Sequence, residues 1–341
     1  MKESYDANLL RLSMVGSGNP WTAITPFTKR LLRALHDGLT LSDMAKVFDV
    51  SSVSIENEFH RMIASNLLMK RGQNFVPAFF IADAAETRRI VDHAQTLGRS
   101  LAERLSMLWS HIEAAFSELS IGHSNSLRDF GFMLVGAHIL DIGLLEALKH
   151  DGTLLEQAPE RPSPDHPKAR YYFWMIEGDL LDLGRYGLDD TDLPWANWCF
   201  LLFGQSWIDG GPNSEWTALE EACVSLVRSN WANSPEALTE RLRVPFFTET
   251  DTSRWSELAK ECAENLAQVY LEKESELRQL FSTLRASSYA PESFSEFFCW
   301  YDHVAYASAI DALDTQGLIS IPRYRLAAAL WYASDPIRGV L

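Results

Sequence analysis

The sequence predicts a mostly α-helical protein, with a small helix-and-hairpin domain at the N-terminus and a larger helical body behind it. Three patterns carry that expectation. Thr40–Leu68, TLSDMAKVFDVSSVSIENEFHRMIASNLL, has the spacing of a helix, a tight turn and a second helix. Residues 84–119 and 255–284 repeat apolar side chains at steps of three and four, the period of one buried helical face. Phe130–Leu148, FGFMLVGAHILDIGLLEAL, is apolar almost throughout, the composition of a helix buried on all sides.

At 341 residues the chain is long for one core, so a division into segments is expected. These are 1–83 as the N-terminal domain, 84–120 as a long connecting helix and 121–341 as an acidic, aromatic-rich helical body. Hydrophobic residues make up 47% and charged ones 22%, a balance that folds and does not stay disordered. Met1–Trp21 lacks a continuous apolar run and a small-residue cleavage site, so no secretory signal is expected. His138, Asp141 and Glu146 interrupt the most apolar stretch and argue for a core helix against a membrane span. Cys199, Cys223, Cys262 and Cys299 are scattered without a CxxC pair. They read as reduced core residues of a cytoplasmic protein, with neither a disulfide framework nor a zinc ribbon.

Charge is uneven. Residues 1–100 hold 12 Lys and Arg against 10 Asp and Glu; the remainder holds 18 against 36, and the whole carries −16. An acidic body repels nucleic acid, so any DNA contact is expected from the N-terminal part. The same acidity also serves simply to keep the body soluble.

Gly16–Pro20 reads as a loop; it lacks the lysine and preceding strand of a phosphate cradle. Thr25 and Pro26 open a helix as N-cap and first residue, with Phe27, Leu31, Leu32 and Leu35 inward and Gly38 at its end. Ser42 caps a short helix carrying Met44, Ala45 and Phe48, and Asp49-Val50-Ser51 turns the chain. A second helix starts at Ser52 or Val53, buries Ile55, Phe59, Met62 and Ile63, and ends at Asn66, a residue that tolerates the left-handed conformation. Leu67–Lys70 and Phe75–Ile81 read as two strands around Arg71–Asn74, with Pro77 requiring a sheet edge.

Residues 26–82 resemble a winged helix-turn-helix domain of the arsenic-repressor and multiple-antibiotic-resistance-regulator kind. Ala45 is small where the two helices approach, Val50 and Ile55 flank the turn, and Asn66-Leu67-Leu68 stands where such domains often carry Gly-Leu-Val. Asp49 replaces the glycine common at that turn, a tolerable change because Asp adopts the left-handed conformation. The likeness covers about a sixth of the chain. It implies a transcription regulator that binds double-stranded DNA as a homodimer, with the helix after the wing building the dimer.

That helix, Ala84–Leu119, carries Ile90, Ala94, Leu97, Leu101, Leu105, Leu108, Ile112, Phe116 and Leu119 on one face, and Gly98 is a candidate kink. An ordinary core helix has the same stripe. Ser126 is a suitable N-cap for the apolar helix that follows. Gly152–Arg170, with Pro159, Pro162, Pro164 and Pro167, is a long loop, either a lid or a plain linker. Tyr171–Ile176 reads as a strand, and Asp189–Asp192 with Pro194 as another loop. Trp195–Phe203, Glu215–Ser229 and Pro235–Arg243, the last capped by Ser234, read as helices. Trp255–Leu284 reads as one long helix with Lys273 snorkelling from its apolar stripe. Ser293–Leu313 continues the series, followed by a strand-like Ile319–Ile321 and a helix near Arg325–Tyr332.

Candidate DNA contacts on the second helix of the motif are Ser52, Ser54, Asn57 and Arg61, since Asn takes adenine and Arg takes guanine bidentately in the major groove. Lys29, Arg30 and Lys46 lie nearby, and Lys70 and Arg71 sit at the wing turn. Glu56 and Glu58 oppose phosphate; Glu56 is also explained by the helix dipole alone. These acids leave open a second reading, in which the module contacts another protein within an assembly.

In the body, His138 and Asp141 are about one α-helical turn apart, fit either to hold a ligand or to satisfy each other in the core. Two such groups without a third are weak grounds for a metal, and none is expected. Asp302 and His303 are adjacent, so on a helix they point about 100° apart and form no dyad by themselves. Nine of the 11 tryptophans lie beyond residue 170. With Tyr172, Trp174 and Trp198 foremost, they line a pocket for a small aromatic or cationic ligand or else fill a core. No nucleophile elbow, HExxH, Walker sequence or paired carboxylate signature appears, so neither catalytic residues nor a cofactor are expected. An enzyme in the body needs a convergent cluster of perturbed titratable groups, and His138, Asp141 and His303 around one cavity would favour it.

Overall fold

The computed structural model describes residues 5–163, 166–193, 197–208, 211–229 and 235–332. Pro164, Pro194, Trp195, Trp231 and Ser234 lie outside the described residues. In chain order come strand β1 (Leu10–Ser17), helices α1 (Pro26–His36), α2 (Leu41–Phe48) and α3 (Ser52–Ala64), and strands β2 (Leu68–Arg71), β3 (Asn74–Pro77) and β4 (Phe80–Ala82). Next are α4 (Ala84–Ser117), α5 (Leu127–Gly131), a π-helix (Phe132–Gly143), α6 (Leu144–Asp151), β5 (Arg170–Glu177), β6 (Gly187–Asp192) and β7 (Trp198–Gly204). The short β8 (Trp207–Ile208) and β9 (Gly211–Pro212) precede α7 (Ser214–Ser229), α8 (Pro235–Leu242) and β10 (Phe246–Phe247). Last come α9 (Glu249–Leu271), α10 (Glu274–Ser282), α11 (Arg285–Tyr289), α12 (Phe294–Thr315) and β11 (Leu326–Tyr332). The chain is mostly helical, with small sheets.

These elements form two compact units, each drawn from three segments. The first comprises Met1–His93, Leu154–Leu183 and Lys273–Tyr301, the second Ala94–Thr153, Gly184–Glu272 and Asp302–Leu341. Neither division falls at 83 or 120; both units are interleaved along the chain.

In the first unit, α1 begins as its sequence dictates. The Thr25 hydroxyl accepts from the Thr28 amide, the Thr28 hydroxyl accepts from the Thr25 amide at 2.7 Å, and Pro26 occupies the first turn. Gly38 follows with a φ of 79°, which glycine adopts without strain. Thr40, not Ser42, caps α2, because Asp43 three residues on closes a reciprocal box with it. Asp49 ends α2 in the left-handed region at φ 57°, and Ser51 caps α3. Ile55, Phe59 and Met62 enter the core with Leu31, Leu32 and Met44, each such burial contributing about 1.5–3 kcal/mol. Asn66 is left-handed, at φ 55°, and β2 pairs antiparallel with β3. That sheet has two strands, so Pro77 withdraws no ladder hydrogen bond.

Phe75–Ile81 is two strands, not one. β4 leaves β3 and joins a second sheet of order β1-β5-β4, antiparallel between β1 and β5 and parallel between β5 and β4. Tyr171–Ile176 of the central strand is buried throughout. The loop expected at 16–20 gives Gly16 and Ser17 to β1, because β5 supplies a partner that local pattern does not reveal.

In the second unit, 83% of the most apolar window of Leu127–Asp151 is buried. It is the one described helix long and apolar enough to cross a membrane. Burial inside its own unit accounts for its composition. Ser126 precedes it without a side-chain cap; its hydroxyl donates to Asp129 instead. A four-stranded sheet of order β10-β11-β7-β6 packs near it. Three expectations fail on that sheet. Trp198–Gly204 is a strand although 195–203 reads as a helix, Leu326–Tyr332 is a strand although Arg325–Tyr332 reads as a helix, and Gly187–Asp192 is a strand although Asp189–Asp192 reads as a loop. β7 and β11 are uninterrupted apolar runs, which periodicity cannot assign, and their mutual antiparallel pairing decides the matter. Ile319–Ile321, expected as a strand, has no regular structure.

Helices α4 and α12 are shared between the units. α4 runs unbroken through Gly98. The glycine serves close approach and not a kink, since a Cβ there would lie 2.3 Å from the Ala305 carbonyl oxygen. The helix expected over 255–284 is interrupted between α9 and α10, with Lys273 at φ −105° as the first cap of α10.

Candidate functional site

The first candidate is the outer face of α3. Ser52, Val53, Ser54, Asn57, His60 and Arg61 are exposed there, opposite the buried Ile55, Phe59 and Met62. Of the expected cations, Lys46 and Lys70 are exposed. Arg61 pairs with Glu58 at 2.6 Å, and Arg71 with Glu292 at 2.5 Å. Lys29 is turned inward: its ammonium donates to the Leu10 carbonyl at 3.0 Å, and burial followed by the Arg11 charge lowers its pKa. Arg30 is half-buried with its guanidinium 4.7 Å from the centre of the Phe48 ring. Ser54 is part of the α3 cap, its hydroxyl 2.8 Å from that of Ser51. Ile63, expected inside, is 36% exposed, and Val53 is 64% exposed.

A buried strap steadies this head. Arg161, from the proline-rich loop, donates to the Asn66 carbonyl at the end of α3 (2.6 Å) and to the Ala78 carbonyl after β3 (2.9 Å). It also bridges Glu296 on α12 at 2.6 Å. Glu296 in turn accepts from the amides of Phe80 on β4 and Phe173 on β5. Burial pushes the Glu296 carboxyl up to about 7, with the Arg161 charge and the two amides pulling against that push. The described part of the loop therefore works as a fastening. Neither residue stood out beforehand; an arginine set between two prolines is the signal that was there to read.

The second candidate is the π-helix. Runs of i→i+5 geometry are rare and frequent at functional sites. His138 and Asp141 are both 6% exposed. In a π-helix three residues turn through only about two-thirds of a circle, so the pair diverges. His138 stacks on Trp331, ring centroids 4.0 Å apart at 27°. Burial alone lowers its pKa to about 3. Asp141 meets the Tyr306 hydroxyl at 3.4 Å and the Leu188 amide, and burial raises its carboxyl to about 7. Asp302 accepts from the Tyr270 hydroxyl at 2.6 Å. Burial raises its pKa well above the ordinary value, the Tyr270 bond opposes the rise, and the Asp141 charge adds to it. His303 packs instead against Tyr306. The set is a buried acid–tyrosine network, and none of Asp141, Asp302 and His303 lines the cavity that His138 borders.

The expected aromatic residues are divided between the two units. Tyr172 and Trp174 are core residues of β5 in the first unit, the Tyr172 hydroxyl donating to the Glu156 carbonyl at 2.5 Å. Trp198, in the second unit, stacks on Phe246 at 4.8 Å. Trp255 and Trp300 donate to the Leu134 and Asp182 carbonyls within their respective units, the usual satisfaction of a buried indole.

Among the described residues, His36, Asp83 and Glu86 bring ligand-type atoms within 4.8 Å of one another. Each of the three already has hydrogen-bond partners within the protein. Asp83 and Glu86 form the reciprocal cap of α4, Glu86 also accepts from the Arg285 amide, and His36 lies between Glu86 and the Tyr289 hydroxyl. Burial pushes the Glu86 carboxyl up, but His36 and the amides outweigh it and leave it below its usual value.

No family model, curated protein or solved structure matches the chain.

Proposed function

We propose that residues 26–82 form a winged helix-turn-helix module that docks double-stranded DNA, and that the chain is a transcription regulator. The supporting observation is the uncovered outer face of α3, where Ser52 and Asn57 are exposed and Lys46 and Lys70 are exposed on the neighbouring elements. In a homodimer two heads read sites roughly 34 Å apart. A ligand or partner preferring one arrangement of the second unit then shifts DNA affinity by linkage.

Phosphate contact by Lys46, Lys70, Arg61 and Arg71 gives a log–log salt slope of about −3 to −4 per head, at roughly −0.9 for each phosphate neutralised. A salt titration of binding to mixed-sequence duplex measures that slope, and a flat response eliminates the DNA reading.

A second reading, docking to another protein, has its own support. Arg61 and Arg71 are already neutralised by Glu58 and Glu292, and Val53 and Ile63 leave apolar surface on the same helix. The flat response is its expected outcome.

A further inference from the structure

His138 borders a cavity of about 570 Å³, lined by the π-helix and α6 on one side and α9 on the other. That volume lies within the usual range of small-molecule sites. Ile142, Ala147 and Ala259 give it apolar walls. The fourth is the His138 ring, itself 6% exposed and backed by Trp331. Its Nε2 has no hydrogen-bond partner among the described residues. An unmatched buried polar atom costs about 1–3 kcal/mol, and among the described residues His138 is the one buried polar side chain that borders this cavity.

The rim is acidic. Glu146, Glu257 and Glu264 border the opening. One ammonium, that of Lys260, stands among them, 4.0 Å from Glu264, and His150 completes the lining. The surrounding protein raises the Glu146 pKa by burial, with Lys149 and Lys260 pulling it back. Burial keeps the His138 ring neutral at physiological pH, so the floor does not repel a cation.

We propose that this cavity binds a small organic cation: an amine whose short apolar body lies against Ile142, Ala147 and Ala259 and whose ammonium meets Glu146 and Glu257. An anion of the same shape faces three carboxylates and one ammonium. The site belongs wholly to the second unit, so it stands whether α3 docks DNA or protein.

Calorimetric titration of the full chain with benzylamine and hexylamine, and with benzoate as the anion of matching size, tests it. At least one amine binds with one-to-one stoichiometry, and benzoate does not. The double variant E146Q/E257Q keeps the shape of two exposed side chains and weakens amine binding by about tenfold. Ala147→Phe fills the space and abolishes binding, with thermal melting reporting that the fold is kept. If Ala147→Phe unfolds, the E146Q/E257Q comparison decides alone. Failure of both amines to bind, equal binding of benzoate, or unchanged amine affinity in E146Q/E257Q overturns the proposal.

Discussion

His138 and Asp141 lie three residues apart on the π-helix yet meet different partners, one stacked on Trp331 and the other facing the Tyr306 hydroxyl. Their opposite titrations make a prediction about stability. A buried imidazole lowered from 6.5 to about 3 supports folding above 6.5 and loses that support as pH falls. A buried carboxyl raised from 3.8 to about 7 supports folding below 3.8 and loses that support as pH rises. Across the shared window the two slopes oppose. Burial raises the Asp302 carboxyl too, with the Asp141 charge adding to the rise, so its slope has the same sign as that of Asp141. Asp141→Asn removes one slope, so the variant loses stability more steeply on acidification between 6.5 and 3.8. Urea midpoints over that range test this, and parallel profiles for variant and parent contradict it.

Arg161 and Glu296 are 4% and 2% exposed at their side chains. Removing one partner strands a buried charge, so Arg161→Met destabilises the protein by about 3–5 kcal/mol. The double variant R161M/E296L recovers only part of that loss: it removes the stranded charge but leaves the Phe80 and Phe173 amides and the Asn66 and Ala78 carbonyls without these partners. Denaturant unfolding of the parent, both single variants and the double variant measures it; additive losses would refute the buried-pair account.

Gly98→Ala is an uncommon case in which alanine harms a helix. An exposed helical glycine gains roughly 1 kcal/mol on replacement. Here the new methyl meets the Ala305 carbonyl oxygen at 2.3 Å and the Ser308 Cβ at 2.7 Å. The expected change is a loss of about 1–3 kcal/mol, read as a lowered melting temperature. A rise shows that the contact yields freely.

Asp49→Gly removes a Cβ from a left-handed residue at φ 57°, ψ 50°. Stability rises by about 1 kcal/mol or less, and Asp49→Val lowers it because a branched side chain tolerates that region least. Urea midpoints of the two variants move in opposite directions; a shift of both the same way counts against the turn geometry.

Much of the helical chain was legible residue by residue. Thr25-Pro26, Gly38, Asp49 and Asn66 mark ends of helices that close where short-range hydrogen bonding and φ preferences say they should. The stripe from Ile90 to Phe116 lies inside α4 and is largely buried. These features need only neighbours within a turn or two. Strands β6, β7 and β11 were missed for the converse reason: their hydrogen bonds run to residues more than a hundred positions apart in the case of β7 and β11, which no local period encodes. The candidate sites divide in the same way. The exposure of Ser52 and Asn57 on α3 follows from helical period. The cavity beside His138 combines the π-helix with α9, over a hundred residues later.

By itself the sequence determined most of the helices, the Thr25 cap of α1 and the charge imbalance between the first 100 residues and the rest, because those depend on side chains near in the chain or on a simple count. Only the tertiary structure decided the strand assignments, the Arg161–Glu296 fastening and the divergence of His138 from Asp141. Each depends on which distant segment supplies a hydrogen bond or excludes water, and that is a property of the packed chain alone.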